Sequence, residues 1–237
     1  MKSERSKNSK LQWLKSEIVG KVSKKDHLQY FLAVVLVYAI GIAIGAAFYP
    51  GGFSMVGIYI SYLGGNENNP EGFVYYNISV FITGILLTPH FLYLYRRLKW
   101  TPKWLKGIMS FFGMVGTLGF AFIGIFYQGS SAIGHRWTTI LAFGGLGGAA
   151  FLHFLIWFIL VLKNKPWPKW KYFIITYIQL FGILGLTLVF HGNEELVVRI
   201  GLDPKYAGDR FWEWFYMFAV MGWLIDTALF SKPDEVN

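Results

Sequence analysis

Histidine and glutamate residues near the ends of long apolar segments are the side chains of this sequence that could do chemistry. His135 and His191 each stand at the edge of an apolar run, and Glu213 lies near the start of another. Imidazole nitrogens and carboxylate oxygens are ordinary zinc ligands and ordinary acid–base groups. We therefore treat His135 and His191 as a candidate zinc pair, with Ser131 or Glu213 nearby as the catalytic group.

The spacing of these residues completes no known catalytic motif. The sequence contains no HxxxH, HExxH or GxSxG pattern, and it has no Cys. The lack of Cys excludes thiol catalysis, disulfides and Cys-based zinc sites. Salt bridges among charged residues at one end of the molecule are the alternative interpretation of the whole set. Apart from zinc, we predict no cofactor.

His90 and Asp226 form a second candidate group. His90 stands six residues before Arg96, and Asp226 stands about one turn before the end of the last apolar segment. Ionisable side chains inside a membrane are costly, so they face the protein interior and find a partner there. We predict a contact between His90 and Asp226, which would act either as a polar clamp between two helices or as part of a proton relay.

The segments that carry these residues are long and apolar. Of the 237 residues, 54% are hydrophobic and 15% are charged, whereas soluble domains carry about 25% charged residues. A helix crosses the bilayer with about 20 apolar residues, and lipid admits only helices or closed barrels. We predict an all-α integral membrane protein, a bundle of six transmembrane helices over residues 28–49, 73–95, 106–128, 137–162, 171–191 and 211–230.

The positive charges predict how this bundle is oriented. The formal net charge is +9. With both termini in the cytoplasm, the cytoplasmic segments hold every Lys and Arg except Arg136, Arg199, Lys205 and Arg210. This distribution satisfies the positive-inside rule. The topology therefore explains the charge without nucleic acid, and we predict a multi-pass membrane protein with membrane lipids as partners.

The segments outside the spans have distinct patterns. Residues 1–27 form a basic leader, in which Leu11, Leu14, Ile18 and Val22 recur at helical spacing. That pattern predicts a surface helix over residues 10–25 on the inner leaflet. Residues 28–231 form the transmembrane domain, and 232–237 form a cytoplasmic tail.

The segment between the first two spans, residues 50–72, is too apolar for an ordinary outer loop. Phe53–Leu63 is too short to span, so we expect a re-entrant or interfacial helix that caps the outer end of the bundle.

Glycines occur inside several spans, as in Gly113, Gly116 and Gly119, and again in Gly144, Gly145, Gly147 and Gly148. Small residues at such intervals let helix backbones approach closely. The glycine-rich faces therefore predict packing inside the bundle or, as the alternative, contacts in a homo- or hetero-oligomer.

Two stretches resemble a known family. They are IYISYLGGNENNPEGFVYYNISVFITGILLTPHFLYLYRRL over residues 58–98 and GIFYQGSSAIGHRWTTILAFGG over residues 124–145. Both are similar to the domain of unknown function 998 family, which is itself similar to the Frag/DRAM/Sfk group of membrane proteins. The resemblance implies six spans in the plasma membrane, no agreed activity and a loose connection to lipid handling. The positions that it marks are Ser61, Leu63, Gly64, Asn69, Pro70 and His135.

Taken together, these patterns favour a membrane protein without enzymatic activity that binds lipid or a small ligand in a cavity open to the outside. The residues that we expect at this cavity are Ser61, Gly64, Asn69, His135 and Glu213. One alternative is a membrane-embedded metal-dependent hydrolase or lipid-remodelling enzyme that uses the zinc pair. Another alternative is a subunit of a larger membrane complex.

Overall fold

The computed structural model describes residues 12–232, and within this range the chain forms helices and no strand. The α-helices are α1 (residues 12–18), α2 (Lys24–Ala47), α3 (Phe73–Arg97), α4 (Lys103–Ile123), α5 (Ala132–Leu162), α6 (Trp170–Phe190), α7 (Glu194–Arg199) and α8 (Asp209–Leu229). Two short 3-10 helices cover Ile60–Gly64 and Pro204–Ala207. The short helix α7 and the 3-10 helix Pro204–Ala207 were not expected from the apolar pattern.

Helix ends lie where the local sequence places caps and turns. Helix α2 begins after Ser23, whose hydroxyl accepts a hydrogen bond from the Asp26 amide at 3.1 Å. It ends shortly before Gly51 and Gly52, which have positive φ angles of 77° and 93°. Helix α5 begins after Ser131, whose hydroxyl accepts from the Gly134 amide at 3.1 Å. Side-chain caps of this kind satisfy main-chain N–H groups that have no partner inside the helix.

Five helices of the described range, α2 to α6, are long and apolar enough to cross a membrane. Together with the composition, this makes the chain a membrane protein. Exposed apolar side chains such as Leu188 and Ile178 cover the outer faces of these helices. In lipid such side chains are already in an apolar solvent, so the exposed surface is compatible with a stable fold.

Helix α8 lies over the sixth predicted segment and differs from the other five. It has 21 residues, as many as α6, but it includes three tryptophans and the carboxylates Asp209, Glu213 and Asp226. Eleven of its 21 residues are buried. The helix with the most polar sequence is thus largely covered by the others, which lets its polar groups bond to protein.

The long helices α2 to α6 run antiparallel to their neighbours, and α8 packs between α6 and α2. One end of the bundle holds residues 19–23, 98–102, 163–169 and 230–232, and we call this end, together with α1 and the adjoining turns of the long helices, the basic end because of its lysines and arginines. The opposite end holds residues 48–72, 124–131 and 191–208. Each end collects side chains from helices that are far apart in the sequence.

Glycines bring α4 and α5 close together. A Cβ atom built on Gly145 would lie 2.5 Å from the Cα atom of Gly116, which is too short for a real contact. The predicted packing inside the bundle therefore holds for this pair. By contrast, a Cβ atom on Gly144 or Gly147 meets nothing within 4 Å. Whether those open glycines contact another protein chain stays a prediction.

The segment 48–72 lies over the opposite end of the bundle and is less helical than expected. Within the predicted helix Phe53–Leu63, the chain is helical only from Ile60 onward, as a 3-10 turn. The indole N–H of Trp214 donates to the Ile58 carbonyl at 2.8 Å, and Leu63 is fully buried. Contacts to α8 replace hydrogen bonds that a regular helix would have made within itself.

Helix α1 occupies part of the predicted surface helix, whose first residues, including Leu11, lie outside the described range. Trp13, Leu14 and Ile18 are exposed, whereas Glu17 is fully buried against the bundle. Arg96 donates to the Val19 carbonyl at 2.6 Å, and Arg97 donates to the Val22 carbonyl at 2.9 Å. The helix therefore presents an apolar face outward, as a surface helix would, while a carboxylate points into the protein.

We predict that Gly145→Ala destabilises the protein by about 1–3 kcal/mol, because the added methyl group overpacks the contact between α4 and α5. Thermal unfolding in detergent, followed by circular dichroism, measures the effect. Gly144→Ala is the matched control, because a methyl group on this preceding residue would point into open space. Equal midpoints for the two variants would contradict the packing role of Gly145.

Candidate functional site

A cavity of about 50 Å³ lies at the opposite end of the bundle. Residues from α3, α4, α5, α8, the 3-10 turn and the segment 124–131 form its wall. The lining residues are Ile60, Ser61, Tyr76, Asn77, Phe120, Ile123, Tyr127, Gln128, His135, Thr139, Phe143, Glu213 and Met217. Polar side chains thus share one small space at the end of the bundle.

Three of the five residues that the sequence placed at a cavity line this one, namely Ser61, His135 and Glu213. They come from positions as far apart as 61 and 213, so the fold is what brings them together. Gly64 and Asn69 do not line the cavity. Gly64 contacts the lining residue Asn77, whereas Asn69 bonds to residues outside the lining.

Glu213 is held in place by the segment that covers it. Its Oε2 atom accepts a hydrogen bond from the Ile60 amide at 3.0 Å. One turn earlier on α8, Arg210 donates to the Gly57 carbonyl at 2.8 Å. The start of α8 is therefore fixed against residues 57–60, and the Glu213 carboxylate has a defined position in the wall.

Three oxygen atoms of the cavity residues are buried and have no hydrogen-bond partner within the described part of the chain: Asn77 Oδ1, Gln128 Oε1 and Thr139 Oγ1. Asn77 is only 6% exposed, and its Nδ2 atom donates to the Gly64 carbonyl at 2.9 Å. That bond fixes which amide atom is the oxygen. A buried polar atom left unpaired costs about 1–3 kcal/mol, so these three atoms concentrate unmet hydrogen-bonding capacity in one place.

His135 contributes a further acceptor. Its Nδ1 atom lies 2.8 Å from the Phe126 carbonyl oxygen, which can only accept, so Nδ1 carries the proton. In the neutral ring Nε2 is then the atom with a free lone pair. The cavity wall is therefore rich in acceptors, and one of its residues is a carboxylate.

Asn69 has a different role from the one that the sequence indicated. It is fully buried, and its Nδ2 atom donates to the carbonyls of Gly45 at 2.8 Å and Leu63 at 3.1 Å. Its Oδ1 atom accepts from the Gly72 amide at 3.1 Å. These bonds join the end of α2, the 3-10 turn and the start of α3, so Asn69 acts as a clamp.

Gly64 is needed because the chain passes very close to Asn77. A Cβ atom on Gly64 would fall on the Asn77 side chain, whose Cγ atom lies only 3.2 Å from that point. The small residue therefore sets the position of Asn77, which lines the cavity. Its place in the predicted site is indirect.

The structure gives the two histidines of the candidate zinc pair separate partners. His191 Nε2 lies 2.6 Å from Asp209 Oδ1, in a pair whose side chains are 45% and 69% exposed. His135 bonds to the Phe126 carbonyl, and Ser131 caps α5. Within residues 12–232 no group of three or more His, Asp or Glu residues could hold a metal ion. The described residues therefore offer no ligand set for the predicted zinc.

At the basic end, His90 bonds to Thr227 and not to its neighbour Asp226. His90 Nε2 lies 3.0 Å from Thr227 Oγ1, and Asp226 Oδ2 is buried without a hydrogen-bond partner. The other ring nitrogen of His90 bonds to His27 Nε2 at 2.9 Å, and His27 Nδ1 bonds to Glu17 Oε1 at 2.6 Å.

Sequence analysis missed Glu17 and His27. A carboxylate in a basic amphipathic helix, and a histidine at the start of an apolar run, were the only signals for them.

We predict that Asn69→Ala lowers the apparent unfolding temperature in detergent, because Asn69 is fully buried and joins three segments. The variant leaves buried carbonyls of Gly45 and Leu63 without donors, at about 1–3 kcal/mol for each unpaired group. Asn68→Ala, on the preceding residue, is the control and should unfold like the wild type. If both variants unfolded alike, the clamp role of Asn69 would be wrong.

The sequence matches one family model, described as Protein of unknown function (DUF998), over residues 31–229. All residues that line the cavity lie inside this range. No curated protein and no solved structure matches the sequence. Since the match covers most of the chain, the protein belongs to the DUF998 family of proteins of unknown function.

Proposed function

We propose that the chain crosses the membrane six times, with α8 as the sixth span and both termini in the cytoplasm. The basic end collects most of the lysines and arginines, as the positive-inside rule requires of a cytoplasmic face. Helix α8 is long enough to cross, and its Glu213 carboxylate bonds to the protein. The cavity then opens toward the outside of a plasma membrane.

Cysteine labelling tests this orientation directly, because the wild-type chain has no Cys. We expect Glu67→Cys, at the opposite end, to react with a membrane-impermeant maleimide in intact cells. Lys165→Cys, in the basic loop after α5, should react only after the cells are permeabilised. Both residues are exposed, so accessibility alone does not separate them. Labelling of Lys165→Cys in intact cells would contradict the proposed orientation.

We further propose that the cavity binds the ammonium group of a small primary amine, either free or as the head group of a lipid. The observation that carries this proposal is the set of three unpaired buried oxygens beside the Glu213 carboxylate. A primary ammonium group has three N–H donors and a positive charge. It could therefore satisfy the oxygens of Asn77, Gln128 and Thr139 together, while Glu213 compensates its charge.

The size of the cavity limits what can enter it. A single water needs about 10–15 Å³, so a volume of about 50 Å³ holds a few waters or an ammonium group with one or two carbons. The remainder of a larger ligand must lie outside the cavity. A lipid with an ethanolamine head group has this shape, since its phosphate and acyl chains would stay in the outer leaflet. The cavity would then recognise the same ammonium group whether it belongs to a lipid head group or to a free small amine.

We predict that Glu213→Gln weakens amine binding by about ten- to a hundredfold, because a charge-assisted hydrogen bond contributes about 1.5–3 kcal/mol. Native mass spectrometry of the detergent-solubilised protein measures retained phosphatidylethanolamine against phosphatidylglycerol. Titration with free ethanolamine separates the head group from the whole lipid as the source. Thr139→Val should reduce binding as well, since it removes one acceptor at nearly constant volume.

Glu71→Gln is the control for this experiment, because Glu71 is an exposed carboxylate at the same end of the bundle. It should bind amines like the wild type. Equal amine binding by the wild type, Glu213→Gln and Thr139→Val would refute the proposed site, and so would a cavity that holds water alone.

A further inference from the structure

We propose that Glu17, His27 and His90 together bind one proton, and that this proton holds α1 against the bundle. We call these three residues the buried triad. The proposal concerns the basic end and does not depend on the amine site at the opposite end.

The triad is a continuous chain of hydrogen bonds. Glu17 Oε1 lies 2.6 Å from His27 Nδ1, and His27 Nε2 lies 2.9 Å from His90 Nδ1. His90 Nε2 then lies 3.0 Å from Thr227 Oγ1. Glu17, His27, His90 and Thr227 are all 0% exposed. The chain therefore links α1, α2, α3 and α8 in a place that water does not reach.

The direction of these bonds can be worked out from the Thr227 end. The Thr227 hydroxyl lies 2.8 Å from the Leu224 carbonyl oxygen, which can only accept, and we assign its single hydrogen to this contact because it is shorter than the 3.0 Å contact to His90 Nε2. It must then accept from His90, and His90 Nε2 carries a proton. If the ring of His90 is neutral, its Nδ1 atom has no proton and accepts from His27 Nε2.

The hydrogen bonds of this chain require one more proton than two neutral imidazole rings provide. The three contacts His90–Thr227, His27–His90 and Glu17–His27 need one proton each, whereas two neutral imidazoles supply only two. The third proton either sits on the Glu17 carboxyl group or makes one ring an imidazolium. In each case the triad as a whole is electrically neutral. That neutrality is what a fully buried carboxylate requires.

Loss of this proton would leave two lone pairs facing each other across the 2.6 Å contact between Glu17 and His27. It would also leave a net negative charge without water, which is strongly unfavourable. Among residues 12–232, Glu17 Oε2 is buried and has no hydrogen-bond partner. Helix α1 carries only Glu17 of the three residues, so it is the element that can move away.

The surroundings of the triad define how far α1 can move. The segment that joins α1 to α2 stays attached to α3, because Arg96 and Arg97 of α3 donate to the carbonyls of Val19 and Val22. Movement is therefore limited to α1 itself.

Other titratable or charged groups lie around the triad, on each element that packs against it. They are Asp26 and Tyr30 of α2, Tyr93, Arg96 and Arg97 of α3, His153 of α5 and Asp226 of α8.

Aromatic rings cover the two histidines. Tyr93 stacks on His27 with ring centroids 3.7 Å apart, and Phe31 packs against His90 at 4.8 Å. Arg97 lies over the Tyr93 ring at 4.8 Å. When α1 is seated, these rings and α1 together close off the triad, so the shared proton exchanges with solvent only when α1 leaves.

Spin labels on a pair of introduced cysteines measure the position of α1, since the wild-type chain has no Cys to remove. We place them at Lys15→Cys on α1 and Trp104→Cys on α4, both of which are exposed. Distances by electron–electron double resonance in lipid nanodiscs are followed from about pH 5 to about pH 10, a range that brackets histidine titration. With the wild-type triad, we expect one narrow distance near neutral pH and at least a tenfold rise in the detached population at the alkaline limit.

Glu17→Gln is the decisive variant. Its amide N–H can donate to neutral His27 Nδ1 and completes the same chain without the third proton, so the alkaline release should disappear. Glu17→Leu, which cannot bond to His27, should detach α1 at every pH. Asp26→Asn is the matched control, because Asp26 is a nearby carboxylate that bonds to Ser23, and it should keep the wild-type pH profile. A wild-type distance that does not change with pH, or the same pH profile in Glu17→Gln, would overturn the proposal.

A second measurement on the wild-type protein does not depend on any variant being stable. Solid-state NMR of protein labelled with 15N-histidine reports which ring nitrogens carry protons. We expect His90 to be protonated on Nε2, and the proton between His27 and Glu17 to give a strongly deshielded resonance. Two neutral rings that are both protonated on Nδ1 would fit an ionised Glu17 without a third proton, and this result would overturn the proposal.

Discussion

The constraint on which this structure depends is that a polar group in lipid must find its partner within the protein. Each unpaired group costs several kcal/mol where no water can replace the partner. Helix α8 shows the effect most clearly, because its Glu213, Trp214 and Thr227 all bond to other segments. About half of α8 is buried, and these bonds tie it to the segment after α2 and to α3.

The two ends of the bundle meet this constraint in different ways. At the basic end, the Glu17, His27, His90 and Thr227 side chains bond to one another in a closed series. At the opposite end, three oxygens in one cavity have no partner in the chain. The basic end therefore links its side chains to one another, whereas the cavity holds polar atoms that a molecule from outside would satisfy under the proposal above. This difference is why we place the binding site at the cavity.

Hydropathy was sufficient to predict the helices, but it could not predict their contacts. A helix turns by about 100° per residue, so adjacent residues such as Asp226 and Thr227 face different neighbours. Only packing decides which of them meets His90, and the sequence does not record that choice. His135 and Glu213 were found because ionisable groups at helix ends stand out, and Ser61 was found through the family resemblance. Gln128 and Thr139 were missed because an amide or a hydroxyl in such a segment is unremarkable without its neighbours.

The length of α5 has a consequence for the surrounding lipid. Its 31 residues extend about 46 Å at 1.5 Å per residue, which exceeds a hydrocarbon thickness of about 30 Å. Apolar side chains are exposed near both of its ends, at Ile133 and Leu162. The helix must therefore tilt from the bilayer normal or carry apolar side chains into the headgroup layer. Because α4 packs closely against α5 at Gly116 and Gly145, a thinner or thicker bilayer would change the tilt angle of both helices together.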